Sequence, residues 1–147
     1  MENFELSPGK KALKTGRWAK IMTKWLITYS AKKSGKKWHF VSFEGANGGE
    51  SKGIVDFLAI RRDHKTGRDS IKSGDYFELI IIQAKGGSSP MPNDNDILRL
   101  SKVGEYYHAK RIILSSWQKG KLPVFYSLIG KPPVTSWAKI EPIEAFS

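Results

Sequence analysis

Apolar residues recur with a helical period near the start of the chain and with a strand period further on. Within residues 10–31, Trp18, Met22, Trp25 and Tyr29 follow at spacings of three and four, which places them on one face of a helix. Lys10, Lys14, Arg17, Lys20 and Lys24 fall together on an adjacent face, and Ser34-Gly35 ends the helix. Residues 38–43 alternate and are rich in strand formers. A loop with four glycines spans 45–53, and a nearly continuous apolar run over 54–60 predicts a second strand. The polar stretch 61–75, with Gly67 and Gly74, reads as a connection to a third strand over 76–84. That third strand is apolar on both faces, the pattern of a strand in the centre of a sheet covered on both sides.

After a loop over 86–93, Asn93 or Asp94 caps a second helix running to about His108. Its buried stripe is Ile97, Leu100, Val103 or Gly104, and Tyr107. Strands follow over 111–115 and 123–128, with a turn at 118–121. From Lys131 onward, Pro132, Pro133 and Pro142 predict an irregular C-terminal tail over 131–147. The order α-β-β-β-α-β-β implies an α/β domain, with a mixed central sheet of about five strands flanked by helices. A chain of 147 residues fits this as a single domain, 1–147.

Charge changes the picture more than composition does. The chain carries a formal net charge of +11, and self-repulsion of that size is tolerated most readily by a domain that meets a polyanion. Nucleic acid is the commonest such partner. Cysteine is absent, which excludes disulfides and cysteine-ligated zinc or iron–sulfur sites. Residues 1–8 show no basic start leading into an apolar run, and no apolar stretch is long enough to cross a bilayer. A cytoplasmic protein with no membrane partner is the expectation.

Two polar intrusions break the apolar strands. Asp56 interrupts Gly-Ile-Val-Asp-Phe-Leu-Ala-Ile, and Gln83 and Lys85 end Glu-Leu-Ile-Ile-Ile-Gln-Ala-Lys. A carboxylate in a buried strand is costly unless paired or bound to a cation. Gln83 and Lys85, two apart on a strand, project to one face. Antiparallel pairing of the two strands would set Asp56 beside them. Such a set suits phosphodiester hydrolysis. Asp56, Gln83 and the Ala84 carbonyl offer oxygen ligands for Mg²⁺, with Mn²⁺ as a substitute. Lys85 would position the attacking water or stabilise charge on the phosphate.

Asp…(Asp/Glu)-x-Lys across adjacent strands resembles the signature of the PD-(D/E)XK, restriction-endonuclease-like nucleases. The likeness is nearest to the archaeal Holliday-junction resolvases. In them a loop like Gly49-Glu50-Ser51-Lys52-Gly53 precedes a strand like Ile54-Val55-Asp56-Phe57-Leu58-Ala59-Ile60. The resemblance runs from about Trp38 to Ser127 and is strongest over 51–60 and 79–87. It implies a Mg²⁺-dependent endodeoxyribonuclease acting on branched or duplex DNA, and a homodimer, because two cuts need two sites. Two departures stand out. Gln83 replaces the usual acid, a form that some family members share and that should hold metal more weakly. The first helix lacks the acid that often completes the site; Glu44 is the preferred substitute, with Glu5 and Glu50 behind it.

Ser51 and Lys52 are candidate contacts to the strand being cut, and Lys10, Lys14, Arg17, Lys20 and Lys24 a track for the phosphate backbone. The bland readings are a flexible loop and a solvated helix face. Glu78 lies on the face opposite Lys85 and reads as structural or paired with a basic neighbour, and His39, His64 and His108 show no metal-site spacing. Two other functions compete with the nuclease. One is a non-catalytic nucleic-acid-binding module on a degenerate nuclease scaffold. The other is a basic structural protein of a ribonucleoprotein, which would leave Asp56 and the Gln-x-Lys pair without purpose.

Overall fold

The computed structural model describes residues 8–32, 35, 37–43, 53–64 and 71–147. The described elements are α1 (Pro8–Lys32), β1 (His39–Ser42), β2 (Phe57–Asp63), β3 (Tyr76–Gly86), α2 (Asp94–Tyr106), β4 (Arg111–Trp117), β5 (Val124–Lys131), β6 (Val134–Ile140) and α3 (Pro142–Phe146). The strands form one six-stranded mixed sheet in the order β1-β2-β3-β4-β5-β6. Every neighbouring pair is antiparallel except β3 and β4, which run parallel and are joined by the crossover helix α2. β3 is central and carries an unbroken buried run from Ile80 to Ala84, as its two-faced apolarity predicts.

The sheet has more strands than expected, because the predicted irregular tail is a strand and a helix. The prolines that argued against regular structure sit where proline is harmless. Lys131 pairs with Val134, so Pro132 and Pro133 form the whole two-residue link of the β5–β6 hairpin. Pro142 is the first residue of α3, where a helix has no use for the missing N–H. Gly130, at φ +84°, opens that hairpin, and a Cβ there would stand 2.4 Å from the Val134 carbonyl oxygen.

β2 is shifted by three residues from the predicted span, so Asp56 precedes the strand and does not interrupt it. The ladder continues past the apolar run because the charged residues there have partners across it. Arg61 pairs with Glu78, and Arg62 with Phe77, whose ring lies 5.6 Å from the guanidinium. Arg61 is buried. Its Nε donates to Glu78 Oε2 at 2.5 Å, its Nη2 to the Ser147 carbonyl at 2.9 Å, and its guanidinium stacks 4.0 Å over Trp38. Trp38 Nε1 in turn donates to the Phe146 carbonyl at 2.9 Å. A buried ion pair thus ties the sheet to α3. Burial alone would raise the Glu78 carboxyl, but the Arg61 hydrogen bond and charge, with Lys110 beside them, hold it below the usual glutamate range. Glu78 is therefore the paired structural acid that its position suggested.

α1 lies across one face of the sheet. Its buried side is Ala19, Thr23, Leu26, Ile27, Ser30 and Ala31. The approach is close: a Cβ on Gly86 would meet Thr15 Cγ2 at 2.9 Å and Ala19 Cβ at 3.1 Å. Thr23 Oγ1 bonds Ser115 Oγ of β4 at 2.7 Å. Small residues permit this contact, and a tryptophan would not fit. Trp18, Trp25 and Tyr29 accordingly point outward, 46%, 49% and 51% exposed, while Met22 packs at the edge of the core. α2 covers the other face. Leu100 and Gly104 are its buried residues, and a Gly104 Cβ would lie 2.7 Å from Ile112 Cδ1. Tyr107, expected in the buried stripe, is 60% exposed, because the helix ends at Tyr106 and the chain turns away. Asn93 caps α2 in a capping box with Asp96.

Candidate functional site

The β2–β3 ladder ends where Phe57 faces Ile82, and the two chains fork beyond that pair. Asp56 stands in the fork. Its N–H donates to the Ile82 carbonyl at 3.1 Å, and its Oδ2 accepts from the Ala84 N–H at 2.7 Å. In an extended strand the N–H and C=O of one residue leave on the same edge. The Ala84 carbonyl is therefore directed to the edge where the Asp56 carboxylate sits.

Side chains on β3 alternate. Ala84 belongs to the core on the α1 side, and Gly86 abuts Thr15 of α1. Gln83 and Lys85 consequently project toward the opposite layer, the one occupied by α2. Gln83 is buried at 6% exposure, and its Nε2 donates to the Ile54 carbonyl at 3.3 Å, across the fork. Its Oε1 is buried with no hydrogen-bond partner among the described residues. Lys85 is half-buried two residues on, and both described salt bridges belong to Glu78, neither to Lys85. The fork thus gathers Asp56, Gln83 and Ala84, with Lys85 at its open end.

The donor set tests what could bind here. It consists of one carboxylate and two neutral carbonyl oxygens, all hard ligands of the kind Mg²⁺ accepts. A buried amide oxygen left without a donor costs about 1–3 kcal/mol, and a cation would relieve that cost. The residues present fit a divalent ion to this extent. Among the described residues no group of three or more His, Cys, Asp or Glu could hold a metal. A second carboxylate would have to come from elsewhere, and the residue expected to supply it, Glu44, lies outside the described residues, as do Glu5, Glu50, Ser51 and Lys52.

The basic track divides. Lys10 lies on α1, but its side chain is outside what is described; Lys14 and Arg17 are exposed, and Lys20 is half-buried. Lys24 leans over the sheet, its Nζ donating to Ser42 Oγ at 2.5 Å and lying 5.1 Å from the Phe57 ring. It is the basic residue of α1 placed next to the fork, because Ser42 pairs with Phe57 and the Phe43 N–H donates to the Asp56 carbonyl at 3.4 Å. Three surface cavities of about 600, 640 and 540 Å³ are lined by none of Asp56, Gln83 and Lys85.

The sequence did not point to the Ile54 carbonyl that orients Gln83, nor to Arg61 as the basic partner of Glu78. A backbone carbonyl has no signature in sequence. The ion pair had one: Arg61 and Glu78 are equally placed about a hairpin connection, as Ile60 and Leu79 are. No family model, curated protein or solved structure matches this chain.

Proposed function

We propose that this protein is a divalent-metal-dependent endonuclease that hydrolyses phosphodiester bonds in DNA. The scaffold would be a restriction-endonuclease-like core, nearest in kind to the Holliday-junction resolvases. The observation that carries the reading is the fork itself. Asp56 is hydrogen-bonded to the residue between Gln83 and Lys85, and Gln83 keeps a buried oxygen with no described donor. The net charge of +11 supports a polyanionic substrate.

Asp56, Gln83 Oε1 and the Ala84 carbonyl would hold Mg²⁺, with Glu44 as a further ligand. The ion supplies Lewis-acid polarisation of the scissile phosphate and a more acidic bound water. The chain's own work is positional. The Ala84 N–H fixes the Asp56 carboxylate, and the Ile54 carbonyl fixes the Gln83 amide through its Nε2. The Lys85 ammonium, on the same face as Gln83, orients the nucleophile or offsets charge growing on the phosphate.

The single described carboxylate also favours a second reading, a nucleic-acid-binding module on the same scaffold that does not cut. One experiment separates the two. Purified protein is incubated with branched, duplex and single-stranded DNA, with and without Mg²⁺ or Mn²⁺. Cleavage that needs metal and disappears in Asp56→Ala and Lys85→Ala supports the nuclease. Salt-sensitive binding without cutting in either metal supports the module. Cleavage indifferent to both substitutions refutes the site.

A further inference from the structure

The outer face of α1 combines two properties that the fork does not use. It exposes flat aromatic rings, and it is uniformly cationic. Trp18, Ile21, Trp25 and Tyr29 are each about half exposed, on the side turned away from the sheet. The Trp25 and Tyr29 rings are stacked on each other, 5.4 Å apart and 16° from parallel, so the pair offers its outer faces. At 3.6 residues per turn, Lys14 and Lys32 fall within the same arc as these rings, and Arg17 borders it. The 25 residues of α1 contain seven Lys or Arg and no acid.

We infer that this face is a docking platform for an unpaired DNA strand, with Trp18, Trp25 and Tyr29 stacking on bases and Lys14, Arg17 and Lys32 meeting phosphates. Rings bordered by cations are what single-stranded nucleic acid requires: every base has a π-face, and each link between bases carries a negative charge. From Trp18 to Tyr29 the helix rises about 16 Å, the length of roughly five nucleotides at about 3.4 Å each. A second copy of this chain fits poorly, because it would set Lys14, Arg17 and Lys32 of one copy against the same cations of the other. A lipid surface is the alternative occupant. Lys14 and Lys32 bracket the aromatic arc at its two ends, spaced for a charged chain, and vesicles are a competitor in the test below. The choice of DNA over RNA rests on the proposed function; the stacking surface itself does not. This face also lies in the layer opposite Gln83 and Lys85, so it would hold a strand or arm other than the one being cut.

The test measures binding without cleavage. Fluorescence anisotropy of a labelled oligothymidylate is followed in EDTA, with whole protein carrying either wild-type Asp56 or Asp56→Ala, so failure of the nuclease leaves the measurement intact. Competitors are an abasic phosphodiester chain of equal length, a duplex, an oligouridylate and phosphatidylserine vesicles. The expected result is preference for oligothymidylate over the abasic chain and the duplex. Trp18→Ala and Trp25→Ala should each weaken it about fivefold to a hundredfold, and the corresponding Phe variants should keep most of the binding. Because both tryptophans are half exposed, the Ala variants should retain the wild-type circular dichroism. Equal affinity for the abasic chain, indifference to both Ala variants, a tighter oligouridylate complex, capture by vesicles alone, or concentration-dependent dimerisation lost in the Ala variants would each overturn the inference.

Discussion

Gln83 is where one atom decides most. Under the proposed function, an acid at its position would bring a second negative charge to the fork, and the amide brings only a dipole. Gln83→Glu should therefore lower the Mg²⁺ concentration needed for half-maximal cleavage, read from metal titrations of DNA cutting. An unchanged metal requirement would place the ion elsewhere. Glu78 offers a residue-scale stability test. It sits with Arg61 and Lys110, and its carboxyl titrates below the ordinary range. A carboxylate with a depressed folded pKa contributes stability that is fully present above the unfolded value. That contribution is lost as pH falls from about 4.3 through the folded value. The wild type should lose part of its urea stability in that window, and Glu78→Gln should lose less of its own. At neutral pH Glu78→Gln should cost about 3 kcal/mol or somewhat less, since it leaves the buried Arg61 guanidinium without its counter-charge. Alternation along the strand already placed Gln83 and Lys85 together and Glu78 on the other face, because side-chain direction on a strand is a two-state variable. The partner of each side chain was not legible, because it lies on a different segment.

Elements were most legible where one physical signal dominated. β3 is legible from its two-faced apolarity, and α2 from a cap at Asn93 or Asp94 and its apolar stripe, its bounds differing little from those observed. Asn93→Ala should cost about 1 kcal/mol in chemical denaturation through loss of the capping box. Signals failed where the same residue serves two purposes. Pro132, Pro133 and Pro142 predict an irregular tail from sequence, whereas in the fold they are a hairpin link and a helix start. The aromatic spacing of α1 was real, but period alone does not say which face turns inward. That was decided by Gly86, which admits Thr15 and Ala19 and nothing larger. Gly86→Ala should push α1 off β3 and cost about 1–3 kcal/mol, measured as a shift in the urea midpoint. A neutral outcome would mean that the helix slides freely at this contact.

Across the whole molecule, charge is the governing property. With a net +11, binding to duplex DNA in EDTA should weaken steeply with salt, the slope of log affinity falling by about 0.9 for each phosphate engaged. Lys14→Ala should weaken binding similarly for unrelated sequences and flatten that slope by about one, as removal of a single phosphate contact does. A slope unchanged by the substitution would remove Lys14 from the interface. No helix among the described residues is long and apolar enough to cross a membrane.

By itself the sequence determined the net charge of +11, the α/β class, the central strand, and the common face of Gln83 and Lys85. Each depends on composition or on the short-range periodicity of a single segment. Only the tertiary structure decided that Asp56 precedes its strand and bonds the backbone of the next one. It alone turned the aromatic side of α1 to solvent and ordered 134–146 as a sixth strand and a third helix. Those outcomes depend on which surfaces meet across the sheet, and a contact between distant segments is a property of the fold that no local pattern encodes.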